Sequence, residues 1–88
     1  MAEPEIFKAT VQIFGDTYKL RGPASPEHME RLAAIVDQRM QEIGQKSKNV
    51  SVAKIAVMAA FHLADDLLKL QEDYDDLVKL LDDTSGAK

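Results

Sequence analysis

The 88-residue chain contains no cysteine. This absence excludes a disulfide framework, a thiolate zinc site and a thiol redox switch. Glycine is scarce, with 4 residues, and none of them belongs to a glycine-rich phosphate loop. Ser25 and Ser51 fit helix caps better than nucleophiles. The sequence therefore predicts no catalytic residue, no cofactor site and no enzyme.

Long apolar runs are also missing. The longest one, residues 52–64, is interrupted by Lys54 and His62 and is shorter than the roughly 20 residues that span a bilayer. Residues 1–5 carry two glutamates and no apolar segment, which is not typical of a secretory signal. We expect a cytoplasmic protein that has no membrane partner.

The net charge of -4 is distributed unevenly. Residues 65–83 hold eight acidic side chains against two lysines. The net charge is positive over residues 39–54, where we predict below a connection between two helices. Glu42 is the one acid in this segment, and four cations oppose it: Arg39, Lys46, Lys48 and Lys54. Such a patch can receive an acidic protein surface. Nucleic acid is a poor partner, since the acidic helix repels phosphate and no aromatic residue is interleaved for stacking.

One histidine lies near two carboxylates. His62, Asp65 and Asp66 are spaced i, i+3, i+4, which can bring them to one face of a helix. Three such groups on a helix surface offer too few ligands for a metal, and a solvated histidine is the favoured interpretation. We expect no metal site.

The N-terminal third predicts a β-hairpin. Apolar and polar residues alternate over residues 7–13 and again over residues 17–21, as in half-buried strands. Gly15 and Asp16 between them suit a two-residue turn. A lone hairpin is marginal in water, so its apolar face is expected to lie on a helix or to join a partner.

The remainder of the chain predicts two helices. Ser25, Pro26 and Glu27 form a helix start, and Gly44 is a plausible residue to end that helix. Its apolar face consists of Met29, Leu32, Ala33, Val36, Met40 and Ile43. The second helix is capped by Ser51, with Asn49 as an alternative, and is apolar all round over residues 52–64. We expect this half to pack against the hairpin and the first helix.

A heptad repeat runs along the second helix. Its apolar seam begins at Ala53 and continues through Ala56, Ala60, Leu63, Leu67, Leu70, Tyr74, Leu77 and Leu81. A helix over residues 51–83 is roughly 50 Å long, whereas a compact domain of this size is about 30 Å across. The outer half must protrude with its leucines uncovered, so the seam predicts self-association.

The predicted fold class is therefore α+β, with an N-terminal head of hairpin and first helix over residues 1–50. A long C-terminal helix that oligomerises as a coiled coil follows over residues 51–83. Its first half is expected to pack on the head. Residues 84–88 are expected to form a frayed tail.

Three segments of the chain together resemble the ZapA family of cell-division proteins. They are residues 11–15 followed by Tyr18 and Leu20, Val36-Asp37 followed by Met40 and Ile43, and residues 54–60 leading into Leu63 and Leu70-Gln71. The resemblance covers residues 10–81. It implies a cytoplasmic protein at the midcell division site that binds filaments of the tubulin-like GTPase FtsZ and promotes their lateral association.

The resemblance also implies a dimer, with pairs of dimers joined as tetramers through antiparallel helices. The positions that match the family's filament contacts are Arg39, Lys46 and Lys48. The main alternative is an antitoxin-like dimer whose acidic helix neutralises a basic protein. The two hypotheses differ in the surface they use, since charge reversal at Lys46 and Lys48 abolishes binding only in the first.

Overall fold

The computed structural model describes residues 5–86 of the chain. Two antiparallel strands, β1 (Phe7–Ile13) and β2 (Asp16–Gly22), are followed by two helices, α1 (Pro26–Lys46) and α2 (Val52–Gly86). The predicted α+β fold of a hairpin, a helix and a long second helix is confirmed.

The hairpin turn lies one residue earlier than the sequence predicts. Ile13 pairs with Asp16, so the turn residues are Phe14 and Gly15, and Asp16 belongs to β2. Both turn residues have positive φ, 52° at Phe14 and 85° at Gly15, as a type I′ turn requires.

Contacts far along the chain hold Phe14 in this unfavourable conformation. Its backbone N–H donates to Asp37 Oδ1 at 2.7 Å. Its ring lies beside Gly44 of α1, where an added Cβ would sit 3.0 Å from Phe14 Cζ. The tip of the hairpin is therefore attached to α1 at two positions about two helical turns apart.

Helix α1 begins as predicted but does not end at Gly44. The Ser25 hydroxyl accepts a hydrogen bond from the His28 N–H at 3.2 Å, as an N-cap should. The helix continues through Gly44 to Lys46, with Ser47 at its C-cap. The prediction that Gly44 ends the helix was wrong, because this glycine makes room for the Phe14 ring.

Helix α2 starts at the predicted cap and ends later than predicted. The Ser51 hydroxyl accepts from the Lys54 N–H at 3.2 Å, whereas Asn49 adopts a left-handed conformation in the connection. The helix runs past Asp83 to Gly86, so part of the segment predicted to fray is helical. Residues 87 and 88 lie outside the described part of the chain.

The core consists of two small clusters along α1. The first joins β1 to the N-terminal half of α1 through Ala9, Val11, Met29 and Ala33. The second joins the C-terminal half of α1 to α2 through Met40, Ile43, Ile55 and Ala59. Ile13 packs against both clusters and links them.

The predicted burial of residues 52–64 is wrong within one protomer. Only Ile55 and Ala59 of this half are buried, while Val57, Met58 and Phe61 are exposed. The reason is that α1 and the tip of the hairpin together cover only one line of side chains in this half of α2, the line of Ile55 and Ala59. The radius of gyration of 18.5 Å exceeds the about 12 Å of a compact chain of this length, which reflects the protruding α2.

Candidate interaction surfaces

The connection between the helices carries the predicted cationic patch. Lys46 is the last residue of α1, Lys48 lies in the connection and Lys54 lies in the first turn of α2. All three side chains are exposed. Within residues 5–86, no acidic side chain lies within ion-pair distance of them. We call Lys46, Lys48 and Lys54 the connection patch.

Arg39 was grouped with these lysines from the sequence, but the structure gives it an intrachain partner. Its Nη2 lies 2.5 Å from Asp66 Oδ2 on α2, and its Nε lies 3.7 Å from Glu42 Oε1. The side chain is 29% exposed, compared with 50% for Asp66. Arg39 therefore bridges α1 to α2, and its charge is already neutralised by carboxylates of the same chain.

A second cationic surface on the hairpin was not predicted from the sequence. Ala9 and Val11 of β1 are buried against α1, so Lys8 on β1 points to the opposite face of the sheet. The strand register pairs Lys8 with Arg21 and Thr10 with Lys19, which places three exposed cations on that outer face. The residues are distant in sequence, and the signal that could have found them is the alternation combined with the strand pairing.

The seam residues share one exposed face of α2. Leu70 is 69% exposed, and the other large side chains from Leu67 outward are each more than half exposed. Leu63, which lies nearest to the head among the leucines, is half-buried. Ala56 and Ala60 continue the face toward the start of the helix. The residues predicted to form the oligomer interface thus lie in one apolar line along α2. We call the part of α2 from Asp65 outward the rod.

The carboxylates beside His62 are engaged in ion pairs. Asp66 binds Arg39, and Asp65 Oδ2 accepts from Lys69 Nζ at 2.9 Å. The hydrogen bond to Asp65 raises the pKa of Lys69. His62 itself is exposed and lines a shallow groove with Arg39 and Lys46. No cluster of potential metal ligands occurs in the part of the chain that the structure describes.

Neither α1 nor α2, over the residues described, combines the length and the apolar composition that crossing a bilayer requires.

The geometry defines a class of protein. A small α+β head carries a helical rod whose heptad positions are apolar and exposed, which is the arrangement of a coiled-coil protein. The sequence profile of the family described as Cell division protein ZapA matches residues 9–85. The chain belongs to the ZapA family of cell-division proteins.

Individual relatives agree with this assignment. The chain is 38% identical to Cell division protein ZapA of Geobacillus sp. (strain WCH70) over 81 residues, covering 92% of this chain and 93% of that protein. It is 36% identical to Cell division protein ZapA of Bacillus subtilis (strain 168), covering 92% and 95% of the two chains.

Solved structures show the same fold. A ZapA mutant dimer from Geobacillus stearothermophilus superposes with a TM-score of 0.70 at 37% identity, covering 92% of this chain and 94% of that one. An unknown conserved bacterial protein from Pseudomonas aeruginosa PAO1 gives 0.67 at 28% identity, covering 91% and 98%.

Proposed function

We propose that this protein binds FtsZ filaments through its heads and crosslinks them laterally at the midcell division site of the cytoplasm. Membership in a cell-division family supports the proposed role in division. The separation of the cationic connection patch from the exposed apolar rod supports the division of labour. The protein acts in this proposal as a non-enzymatic bridge.

The connection patch is the proposed filament contact. Lys46 and Lys48 are exposed and have no acidic partner among the described residues, so their charges are available to an acidic protein surface. In this proposal Arg39 does not touch the filament but supports the contact indirectly. Its pairing with Asp66 holds the start of the rod against α1 and so fixes the direction in which the rod leaves the head.

The seam is the proposed interface between copies. Burying each of its large side chains contributes about 1.5–3 kcal/mol, so several leucines together can offset the cost of association. In a single copy these side chains are exposed to solvent. A homodimer buries this line, and two dimers that pair through their rods form a tetramer. A solved relative, the ZapA mutant dimer, supports self-association.

The length of α2 explains how assembly produces bridging. The 35 residues of α2 extend about 52 Å at 1.5 Å per residue. Heads at the two ends of an antiparallel assembly are then far enough apart to contact different filaments. The two contacts act together, which raises the avidity above that of one head.

Charge reversal tests the proposed filament contact. Lys46→Glu with Lys48→Glu changes the charge of the connection patch by four units without touching either core cluster. We expect this double variant to lose cosedimentation with purified FtsZ filaments. The matched control is Lys8→Glu with Lys19→Glu, which makes the same change in charge on the outer face of the hairpin.

The control separates a local contact from a general charge effect. Equal loss in both double variants would show that net charge governs binding, and loss only in the hairpin variant would move the contact to the sheet. Asp75→Lys with Asp76→Lys on the rod is expected to leave pelleting mostly intact. Full pelleting of the Lys46 and Lys48 double variant would overturn the proposal.

A further inference from the structure

The hairpin leaves one edge of β1 unpaired. Within residues 5–86 the sheet has two strands, and β1 pairs with β2 alone. The type I′ turn makes Ile13 and Asp16 a hydrogen-bonded pair, and such pairs alternate along an antiparallel ladder. Thr10 and Gln12 therefore direct their backbone N–H and C=O groups away from β2. These groups form a template on which a further strand can pair.

A groove runs along this free edge. It has a volume of about 480 Å³ and lies between β1 and one face of α1, where Thr10 and Gln12 form its strand side. On the helix side, Ala33 and Ala34 have small side chains, which keep α1 from filling the space. The edge from Lys8 to Gln12 extends about 14 Å, so the groove has room for a peptide strand of about five residues.

The helix wall of the groove is acidic. Glu30 and Asp37 both line it, and none of its described lining residues is basic. Asp37 Oδ1 already accepts the Phe14 N–H at 2.7 Å. Glu30 is exposed and forms no ion pair within residues 5–86. Its charge is therefore available to a cation that lies in the groove.

The free edge of β2 is less suited to a further strand. Its outward-facing backbone groups belong to Thr17, Lys19 and Arg21, so two of these three positions carry a cation. Charged side chains on an edge strand oppose pairing with another strand. The middle of the β1 edge carries the uncharged Thr10 and Gln12 instead, so it is the edge that is open to pairing.

We propose that this groove binds an extended, basic peptide segment of a partner protein, which adds a third strand to the sheet along β1 and places a lysine or arginine beside Glu30. In this mode of recognition, backbone hydrogen bonds give affinity and alternate side chains give selectivity. Charge complementarity favours a basic segment over the acidic rod of a further copy. The groove shares no residue with the connection patch or the seam, so the inference goes beyond the proposed function.

A peptide titration followed by NMR tests the site. The probe is a nine-residue peptide of alternating threonine and serine with a central arginine, and two comparison peptides carry glutamine or glutamate there. We expect the arginine peptide to shift the amide signals of Lys8, Thr10 and Gln12 and to bind several-fold more tightly than the glutamate peptide. Absence of binding, equal binding of all three peptides, or shifts confined to other residues would overturn the proposal.

Proline substitution tests the backbone pairing. Thr10→Pro removes an N–H that faces the groove but takes no part in the ladder with β2, so the hairpin is expected to persist. We expect this variant to bind the arginine peptide at least tenfold more weakly. The matched control is Thr17→Pro, which removes the corresponding N–H from the edge of β2 and should leave binding unchanged. Parent-like binding by Thr10→Pro would contradict the pairing.

A second variant fills the groove without altering β1. Ala34 is exposed and belongs to neither core cluster, so Ala34→Leu is expected to retain the fold. We expect it to lose the arginine peptide, because the larger side chain occupies the space beside the strand edge. Glu30→Gln should instead reduce the preference for arginine over glutamine. Retained binding in Ala34→Leu would place the peptide elsewhere and would overturn the proposal.

Peptide binding and filament pelleting separate this inference from the proposed function. We expect Lys46→Glu with Lys48→Glu to bind the arginine peptide as the parent does. A parent chain that binds the peptide but does not pellet with FtsZ filaments would refute the proposed function alone. A parent chain that pellets but does not bind the peptide would refute the groove alone.

Discussion

At the scale of single residues, Phe14 joins the tip of the hairpin to two positions on α1. A bulky residue in the left-handed region costs about 1–3 kcal/mol. The hydrogen bond from its N–H to Asp37 and the packing of its ring on Gly44 offset that cost. The hairpin tip is thereby fixed against the C-terminal half of α1.

Gly44→Val tests whether position 44 must lack a side chain so that the Phe14 ring can pack there. A branched side chain would enter space already occupied at 3.0 and 3.2 Å by ring atoms. We expect a loss of about 1–3 kcal/mol in the free energy of unfolding, typical of overpacking. Denaturant titration at fixed protein concentration measures it.

A double-mutant cycle supplies the control for this prediction. In a Phe14→Ala background the ring is gone, so Gly44→Val should cost much less than in the parent chain. An equal cost in both backgrounds would mean that the valine acts on the helix itself rather than on the ring.

The turn at Phe14 also shows what the sequence could not decide. A turn at Gly15-Asp16 would pair Val11 with Leu20, whereas the observed turn pairs Val11 with Tyr18. Both registers keep the same side chains on the inner face, so the alternating pattern fits either one. Contacts with Asp37 and Gly44, at least 23 residues away, decide between them.

At the scale of whole elements, the two helices differ in how well the sequence predicted them. The starts were predicted, because Ser25 and Ser51 are local signals that act within one turn. The burial of the first half of α2 was not. An apolar helix indicates how much surface needs cover, but not which chain provides the cover, and here one protomer covers only the line of Ile55 and Ala59.

The ion pair between α1 and α2 gives a prediction at this scale. Arg39→Glu would place a carboxylate against Asp66 and beside Glu42. Because these like charges repel, the contact between α1 and α2 should weaken, and we expect filament pelleting to fall. Adding Asp66→Arg restores an opposite pair with its polarity exchanged. We expect the exchanged variant to recover most of the pelleting.

The exchanged variant separates positioning from direct contact. If Arg39 binds the filament itself, glutamate at this position leaves the exchanged variant as defective as the single one. Arg39→Gln is a milder comparison, since a pair that is partly exposed contributes only about 0–1 kcal/mol to stability. A large loss of stability in Arg39→Gln would contradict the role assigned to this residue.

At the scale of the whole molecule, the cationic patches lie apart from the apolar seam. The head carries the connection patch and the outer face of the hairpin, whereas the rod holds the eight acids of residues 65–83 around its seam. The acidic rod and the connection patch could be predicted from composition along the chain. The hairpin surface could not, because it exists only once the strand register is known.

The central claim is that one copy of this chain leaves its rod uncovered and that a second copy covers it. The exposed seam supports the claim, and every bridging step depends on it.

The most direct measurement is the mass in solution by light scattering over a range of concentrations, for the parent chain and for Leu70→Glu. We expect the parent to be a dimer or larger. The variant should shift toward smaller assemblies, because a charge cannot be buried in the seam without a large cost. A folded monomeric parent, or a variant of unchanged mass, would contradict the account.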